Sequence, residues 1–401
     1  MDINYNLLFE EPQVIVSILC IIAGLICTIY VVRKSHEKIN KNKNNIVIGE
    51  IKGINIFPIK SCSGIEVPSA RLTPSGLAHG EYCYDRAWAI VKEGVYENGG
   101  KEKANDKKYN CTIMTLRNLP KMALIKPFVK FSNGDMTIRV PAENNEKHIF
   151  CQMLVPLTLS GSMEWKCDLF GSPATGFDQG DEVSGFLTSF LNSETPLRLI
   201  YMGSNNLRPL AVSPKYGKLA RPKNGSRFSD WAQFSMISLQ SMVWLNKKIA
   251  ATSTKDFPDV SLHNFRKNII ISSSSDAPFV EDEVDLFSII TQKNEASSLK
   301  NKDAYFRIVK KAGRCTVPTV NPKTGVKDLK LQILKLLKKF RSEYYPHLSP
   351  SSEFYKLEPM FGTTFNLTDA GESFIMRHEN QHDPSLYIKI GDKILVNQWK
   401  K

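Results

Sequence analysis

The 401-residue sequence lacks the cysteine and histidine spacings of the common metal sites. Its eight cysteines form no C-x-x-C pair, and its seven histidines are scattered along the chain. These absences argue against a zinc ribbon, a zinc finger or a ferredoxin-type cluster. The cysteines also lack the framework spacing of a secreted disulfide scaffold, so a reducing, cytosol-facing compartment fits the sequence better.

Several motif classes are missing as well. The sequence shows no P-loop, no dinucleotide-binding glycine pattern, no Ser-His-Asp or Cys-His arrangement and no fixed-period repeat. The net charge of +13 allows nucleic acid, a membrane surface or an anionic ligand as partner. Nucleic-acid binding is not expected, because much of the basic excess lies in one tract near the amino end and on one helix face, without interleaved aromatic residues.

One apolar run, Val14–Val32, extends over nineteen positions without a charge. A helix rising about 1.5 Å per residue over this length nearly spans a hydrocarbon core of about 30 Å. Five basic residues follow within 33–43, so the positive-inside rule leaves the bulk of the protein in the cytosol. A cleaved signal peptide is the alternative, but the acidic residues before the run and the missing cleavage site argue against it.

The sequence therefore predicts a single membrane anchor at 14–32, between a short acidic amino end (1–13) and a basic polar linker (33–47). Such an anchor suits the outer mitochondrial membrane and the endoplasmic reticulum alike. Two intimately packed parts, 48–180 and 181–401, are expected to follow.

Closely spaced β-branched and alternating segments predict a β-barrel or folded sheet after the linker. The predicted strands are 46–48, 51–56, 82–91, 136–140, 197–202, 268–272, 304–309 and 387–390, with a further apolar segment at 122–129. Apolar residues at helical spacing predict three helices, over 183–191 with Asp181 as its cap, over 238–250 and over 328–345. The fold class is a β-rich mixed α+β protein.

Four short polar clusters are candidates for chemistry. Lys60 and Ser61 close a predicted strand, Asp85 and Arg86 lie inside one, Arg266 and Asn268 bracket the start of another, and Arg314 and Cys315 end a fourth. Each cluster alone is also explained by a solvated loop or a satisfied salt bridge, and Cys315 by a small buried hydrophobic residue. A thiol beside an arginine and before the turn 321–325 is nevertheless a place where a thiolate is electrostatically favoured.

Taken together, these clusters resemble the MOSC family. The matching stretches are F-P-I-K-S-C-S-G-I (57–65), G-E-Y-C-Y-D-R-A-W-A-I (80–90), N-F-R-K-N-I-I-I-S (264–272) and R-C-T-V-P-T-V-N-P-K-T-G (314–325). The resemblance covers roughly residues 48–396 and implies a β-barrel amino-terminal MOSC region packed on a MOSC domain.

The resemblance also implies a molybdenum cofactor held between the two parts. The family's cysteine ligand to molybdenum falls on Cys315, which is thereby the implied catalytic and metal-binding residue. The implied cofactor contacts are Lys60, Ser61, Arg86, Asp230, Arg266, Asn268 and Cys315. Lysine and arginine supply charge-assisted donors to a pterin phosphate, asparagine and serine can bind a pterin edge, and a thiolate is a suitable soft ligand.

The sequence departs from the family pattern at three places. Trp231 and Ala232 stand where Thr and Ser are common, Gly313 replaces a frequent Ser, and Thr364 stands in place of an expected Tyr. The charged members and the thiol are present, so the resemblance still implies a cofactor site, with substrate preference or redox tuning open to change.

Among MOSC proteins the resemblance is strongest to membrane-anchored reductases of N-hydroxylated compounds (amidoximes, hydroxylamines and N-oxides). It implies cytochrome b5 and its NADH-dependent reductase as electron donors, since the chain has no flavin, haem or nicotinamide motif, and an outer mitochondrial location facing the cytosol. Two alternatives remain open: a cofactor carrier or sulfur-handling module, and an inactive anchor protein.

Overall fold

The structure is a computed structural model that describes residues 46–94, 109–130, 133–142, 150–157, 163–203, 206–210, 225–252, 256–290, 305–344, 357–378 and 383–400. The predicted anchor at 14–32, its acidic amino end and most of the linker lie outside these residues. Within the described ranges, no helix has both the length and the apolar character needed to cross a bilayer.

Strands contain far more of the described residues than helices do, which confirms the prediction of a β-rich mixed protein. They are β1 (Ile46–Ile56), β2 (Ile65–Glu66), β3 (Ser69–Thr73), β4 (Gly76–His79), β5 (Cys83–Tyr84), β6 (Trp88–Glu93), β7 (Cys111–Ile113), β8 (Lys126–Val129), β9 (Met136–Pro141), β10 (Phe150–Val155), β11 (Glu164–Leu169), β12 (Ser172–Asp178), β13 (Leu197–Tyr201), β14 (Arg208–Pro209), β15 (Gly225–Ser226), β16 (Phe234–Ser238), β17 (Ile269–Ser273), β18 (Val284–Ile290), β19 (Tyr305–Gly313), β20 (Ser342–Tyr344), β21 (Leu357–Leu367), β22 (Tyr387–Lys389) and β23 (Lys393–Trp399). The α-helices are α1 (Asp181–Phe190), α2 (Leu239–Ala250), α3 (Gln332–Phe340) and α4 (Asp369–Arg377).

Two β-structures dominate the fold. A closed barrel in the order β11-β12-β13-β6-β7 lies in the amino-terminal half. A larger sheet runs β16-β17-β1-β23-β18-β19-β21-β20, and an additional pairing of β16 with β21 closes most of it into a ring. The first described strand, β1, pairs antiparallel with both β17 and β23, so the amino-terminal strand is built into the sheet of the second half.

Four phenylalanines pack inside the larger sheet, with ring centroids 5.0 to 5.5 Å apart: Phe234, Phe287, Phe306 and Phe365. All four are buried, and aromatic pairs at this spacing contribute about 0.5–1.5 kcal/mol beyond the burial of their area. Phe234 directly precedes Ser235, a residue of the candidate site, so this rigid core fixes one wall of that site.

The structure corrects several predicted element boundaries. The segment 82–91 is not one strand, since β5 and β6 are separated by a turn at 85–87 that contains Asp85 and Arg86. Helix α1 begins at Asp181 with Gly180 as its N-cap, so Asp181 does not cap it and instead stabilises the helix dipole from the first turn. The third helix is shorter than predicted, because the chain turns at Arg341 into β20, which pairs with β21.

Candidate cofactor-binding site

The structure brings all seven predicted site residues into the wall of one cavity of about 410 Å³. They come from two turns, a strand entry and two loops that are up to 255 positions apart in the sequence (Lys60 and Cys315). The cavity is of a size typical for small-molecule and cofactor sites. The structure thus shows that the seven residues line one cavity, and their roles as ligands stay a prediction.

Lys60 and Ser61 lie in the tight turn that follows β1. Ser61 has a positive φ of 67°, and both residues line the cavity. The Lys60 ammonium donates to the Phe228 carbonyl at 2.9 Å and forms an ion pair with Asp230. Burial lowers the pKa of Lys60, and the Asp230 carboxylate opposes that shift. Burial by itself would raise the pKa of Asp230, but the charge of Lys60 holds it below its ordinary value.

Arg86 connects the two halves of the protein. Its backbone is left-handed, with φ of 52°, and its guanidinium pairs with the buried Asp85 carboxylate. The Phe57 amide donates to the other oxygen of Asp85 at 2.8 Å, which fixes the turn to the end of β1. The Arg86 nitrogen of this ion pair, Nη1, also donates to the Asn268 side-chain oxygen at 3.5 Å, and Nη2 donates to the Arg266 carbonyl at 3.4 Å.

Arg266 and Asn268 come from the entry to β17, as predicted. Arg266 ends the short 3₁₀ helix Leu262–Phe265 in a left-handed conformation, with φ of 53°. Asn268 is held from two sides, since its side-chain oxygen accepts from the Ser235 hydroxyl at 2.9 Å and its amide donates to the Asn55 carbonyl at 3.2 Å. A fixed amide of this kind can present a specific edge to a ring ligand.

Arg266 carries an unused donor. Burial lowers its pKa to about 10, and the neighbouring Arg86 adds to this shift, so the guanidinium stays cationic at neutral pH. Its Nη2 atom is buried, and no residue in the described part of the chain accepts a hydrogen bond from it. Buried donors are almost always satisfied in folded proteins. The geometry therefore favours an anionic ligand at this atom.

Cys315 lies two residues after the end of β19, is exposed and lines the cavity, so it is not a small buried hydrophobic residue. Its neighbour Arg314 is fixed in place by donating to the carbonyls of Phe361 and, at 3.3 Å, Phe265. Burial lowers the pKa of Arg314 to about 10. An accessible thiol beside a fixed cation is suited to act as a thiolate ligand.

The sequence did not identify other residues that line the cavity. They include three further cations, Arg117, Lys267 and Lys310, as well as Glu358 and the aromatic residue Phe170. Arg208 lies behind the wall and donates to the backbone carbonyls of 229 and 230, which holds the Asp230 loop. Only Lys267 could have been found from the sequence, since it stands between two predicted ligands.

The donor set fits a phosphate-bearing pterin with a thiolate-ligated metal. Seven of the cavity-lining side chains are basic and only two are acidic, and one of those two, Asp230, is paired with Lys60. This excess of positive charge suits a phosphate group, for which arginine offers bidentate donors. The soft sulfur of Cys315 suits a metal that already carries sulfur ligands.

Comparisons with known proteins agree with the resemblance seen in the sequence. The profile of the MOSC N-terminal beta barrel domain matches residues 48–194, and that of the MOSC domain matches residues 224–395. Mitochondrial amidoxime-reducing component 1 of Xenopus laevis is 29% identical, over 81% of this chain and 79% of the frog protein. The human protein of the same name is 29% identical, over 81% of this chain and 80% of its own length. Molybdenum cofactor sulfurase of Danio rerio is 27% identical, over 68% of this chain but 28% of the fish protein.

Proposed function

Because the chain belongs to the MOSC family, we propose that it binds a molybdenum cofactor in this cavity and reduces N-hydroxylated compounds. The observation that carries the proposal is the meeting of an exposed thiol, Cys315, with the Arg86–Arg266 pair in one basic cavity. The names of the frog and human relatives support amidoximes as one substrate class. We propose hydroxylamines and N-oxides as further substrates, because they also carry an oxygen atom bound to nitrogen.

Each part of the cavity has a separate task in this proposal. Arg86 and Arg266 hold the pterin phosphate, and one donor is the Nη2 of Arg266, for which the described residues offer no acceptor. Ser61 and Asn268 bind the pterin edge, while Lys60 and Asp230 form a neutralised pair that keeps the loop around 230 closed over the site. Cys315 supplies the protein ligand to the metal. When bound, the cofactor supplies the two-electron chemistry that removes oxygen from nitrogen.

The electrons have to come from a partner protein. We propose cytochrome b5, reduced by its NADH-dependent reductase, because the acidic face of such a cytochrome complements a chain with a net charge of +13. Complementary charge of this kind raises the association rate and makes it depend on salt.

The proposed location is the outer mitochondrial membrane, with the body of the protein facing the cytosol. The uncharged run 14–32 and its basic flank support an anchor, and the names of the relatives support mitochondria. Deleting residues 1–44 should then release a soluble, folded protein. Protease added to intact mitochondria should digest the body of the full-length form, whereas a fully protected body would overturn the assignment.

Metal and pterin analysis of the purified protein tests the cofactor, and benzamidoxime reduction with a reconstituted cytochrome b5 chain tests the reaction. We expect molybdenum and pterin in equal amounts and formation of benzamidine that depends on NADH. A protein that contains the cofactor but forms no benzamidine, with active cytochrome components, would contradict the reductase proposal.

A cofactor carrier or sulfur-handling module is the second candidate. The similarity to a molybdenum cofactor sulfurase over 68% of this chain favours it, as does the exposure of Cys315, which could accept sulfur transiently. A carrier would release its cofactor to an apo-enzyme and would show little reductase activity of its own, so the same assay distinguishes the two candidates.

A further inference from the structure

The hairpin between β11 and β12 reaches the cavity with an aromatic residue at its tip. Phe170 occupies the turn with a positive φ of 58°, a conformation that is uncommon for a bulky side chain. Holding such a residue there costs stability, and the cost persists only where the surroundings enforce it. Phe170 nevertheless stays 38% exposed, so it is not held there by burial in the core.

The ring of Phe170 meets Trp231, which lies in the loop after Asp230. The ring centroids are 4.4 Å apart at an interplanar angle of 32°. On β19, the Lys310 ammonium lies 5.4 Å from the centre of the Trp231 ring. All three side chains line the same cavity as Cys315. A barrel hairpin, a loop and a sheet strand thus build one aromatic surface in the cavity that the thiol also lines.

We propose that Phe170 and Trp231 form an aromatic wall that selects planar aromatic N-hydroxylated substrates over aliphatic ones. This proposal rests on the proposed function and specifies its substrate class. Flat rings gain from offset stacking on such a surface, whereas a short alkyl chain gains only the burial of its smaller area. Lys310 holds the indole face by a cation–π contact, which keeps the wall rigid.

The wall faces a cavity in which the cofactor is also expected, so stacking on the pterin is the competing explanation. The two explanations differ in what a truncation would change. A substrate wall affects the KM for aromatic substrates and leaves the cofactor content unchanged. A pterin support affects the cofactor content first and treats all substrates alike.

The test compares Trp231→Ala and Phe170→Ala with a control, Phe128→Ala, in the full-length protein. Phe128 is 54% exposed and does not line the cavity, so its loss removes an exposed aromatic ring of similar size. We expect the KM for benzamidoxime to rise about three- to tenfold in both wall variants, with kcat within about twofold. The KM for acetamidoxime should stay within about twofold, and Trp231→Phe should restore most of the benzamidoxime KM.

A binding measurement separates this inference from the proposed function. Calorimetric titration with benzamidine requires no turnover, and its dissociation constant should weaken about three- to tenfold in the wall variants. If the wild type reduces neither amidoxime yet this loss of binding is seen, the reductase proposal fails. The aromatic wall is then still supported as a binding surface for planar aromatic ligands. Three results would contradict the inference that the wall selects aromatic substrates. They are equal KM changes for both substrates, a loss of pterin from Trp231→Ala, and unchanged benzamidine binding in the wall variants.

Discussion

The Glu358 carboxylate occupies the space in which a side chain on Gly313 would begin. A Cβ atom built on Gly313 would overlap both carboxylate oxygens and the carbon between them. Gly313 ends β19 two residues before Cys315, and Glu358 reaches it from the neighbouring strand β21. Both residues line the cavity, and the absence of a side chain at 313 leaves room for the Glu358 carboxylate.

Gly313→Ala should therefore displace the Glu358 carboxylate and destabilise the protein by about 1 kcal/mol at most, since the displaced atoms are the flexible end of a half-buried side chain that can move into the cavity. Combining it with Glu358→Ala should cost less than the sum of the two single changes, because the obstruction is then removed. Urea unfolding of the four proteins measures this coupling.

Gly185→Ala is the matched control, because Gly185 lies in α1 with open space at its Cβ position. Alanine there should stabilise by about 0.5–1 kcal/mol through its helix propensity. Additive single changes at 313 and 358 would mean that the two residues do not compete for the same space.

Arg266→Ala should purify folded but depleted in pterin, because it removes a donor that no described residue uses. Losing a buried charged partner commonly costs about 2–5 kcal/mol of binding, which is tenfold or more in affinity. The pterin content per protein measures the loss of cofactor, and the thermal unfolding curve shows whether the variant is folded. The exposed Arg139→Ala serves as control.

Arg86→Ala should lose pterin as well, but it should also lower the stability by about 3–5 kcal/mol, since the buried Asp85 carboxylate is left without its partner. Only Arg86→Ala should lower the stability strongly, because Arg86 forms an ion pair with a buried carboxylate and Arg266 does not. Full pterin occupancy in both variants would show that neither binds the cofactor.

Cys315→Ser and Cys315→Ala should abolish N-hydroxyl reduction while retaining more pterin than the arginine variants. The phosphate contacts remain in both, and only the protein ligand to the metal is changed. Cys83→Ala is the control, because burial raises the pKa of Cys83 to about 12 and keeps that thiol protonated. Wild-type turnover by Cys315→Ala, with the metal present, would exclude the proposed role.

Asp282 should make the folded state less stable as the pH rises from about 4 to 6. Burial raises its pKa to about 6, with Arg341 opposing the shift, from an ordinary value of 3.8. The folded state therefore keeps a proton that the unfolded state releases, and stability declines until the folded group is also ionised.

Asp282→Asn removes this titration, so the difference in unfolding free energy, wild type minus variant, should decrease between pH 4 and 6 and be level above pH 7. Denaturant unfolding over this range measures it. A difference that does not change with pH would show that Asp282 has the same pKa in the folded and unfolded states.

Local patterns in the sequence were sufficient for much of the fold. The two predicted strands at 46–48 and 51–56 form the single strand β1, and the apolar stripes at 183–191 and 238–250 form α1 and α2. These elements are predictable because the side-chain periods of strands and helices are local properties. The site residues could be collected because the short motifs that carry them resemble a known family.

Contacts between distant segments were decided only by the tertiary structure. The turn at Asp85 and Arg86 interrupts an alternating strand pattern because Asp85 binds the Phe57 amide and Arg86 reaches the β17 entry. The pairs Gly313–Glu358 and Phe170–Trp231 join residues 45 and 61 positions apart, with no local signal at either partner. Sequence periodicity determines which face of an element is apolar, but which side chains meet in the cavity depends on how the barrel and the larger sheet pack together.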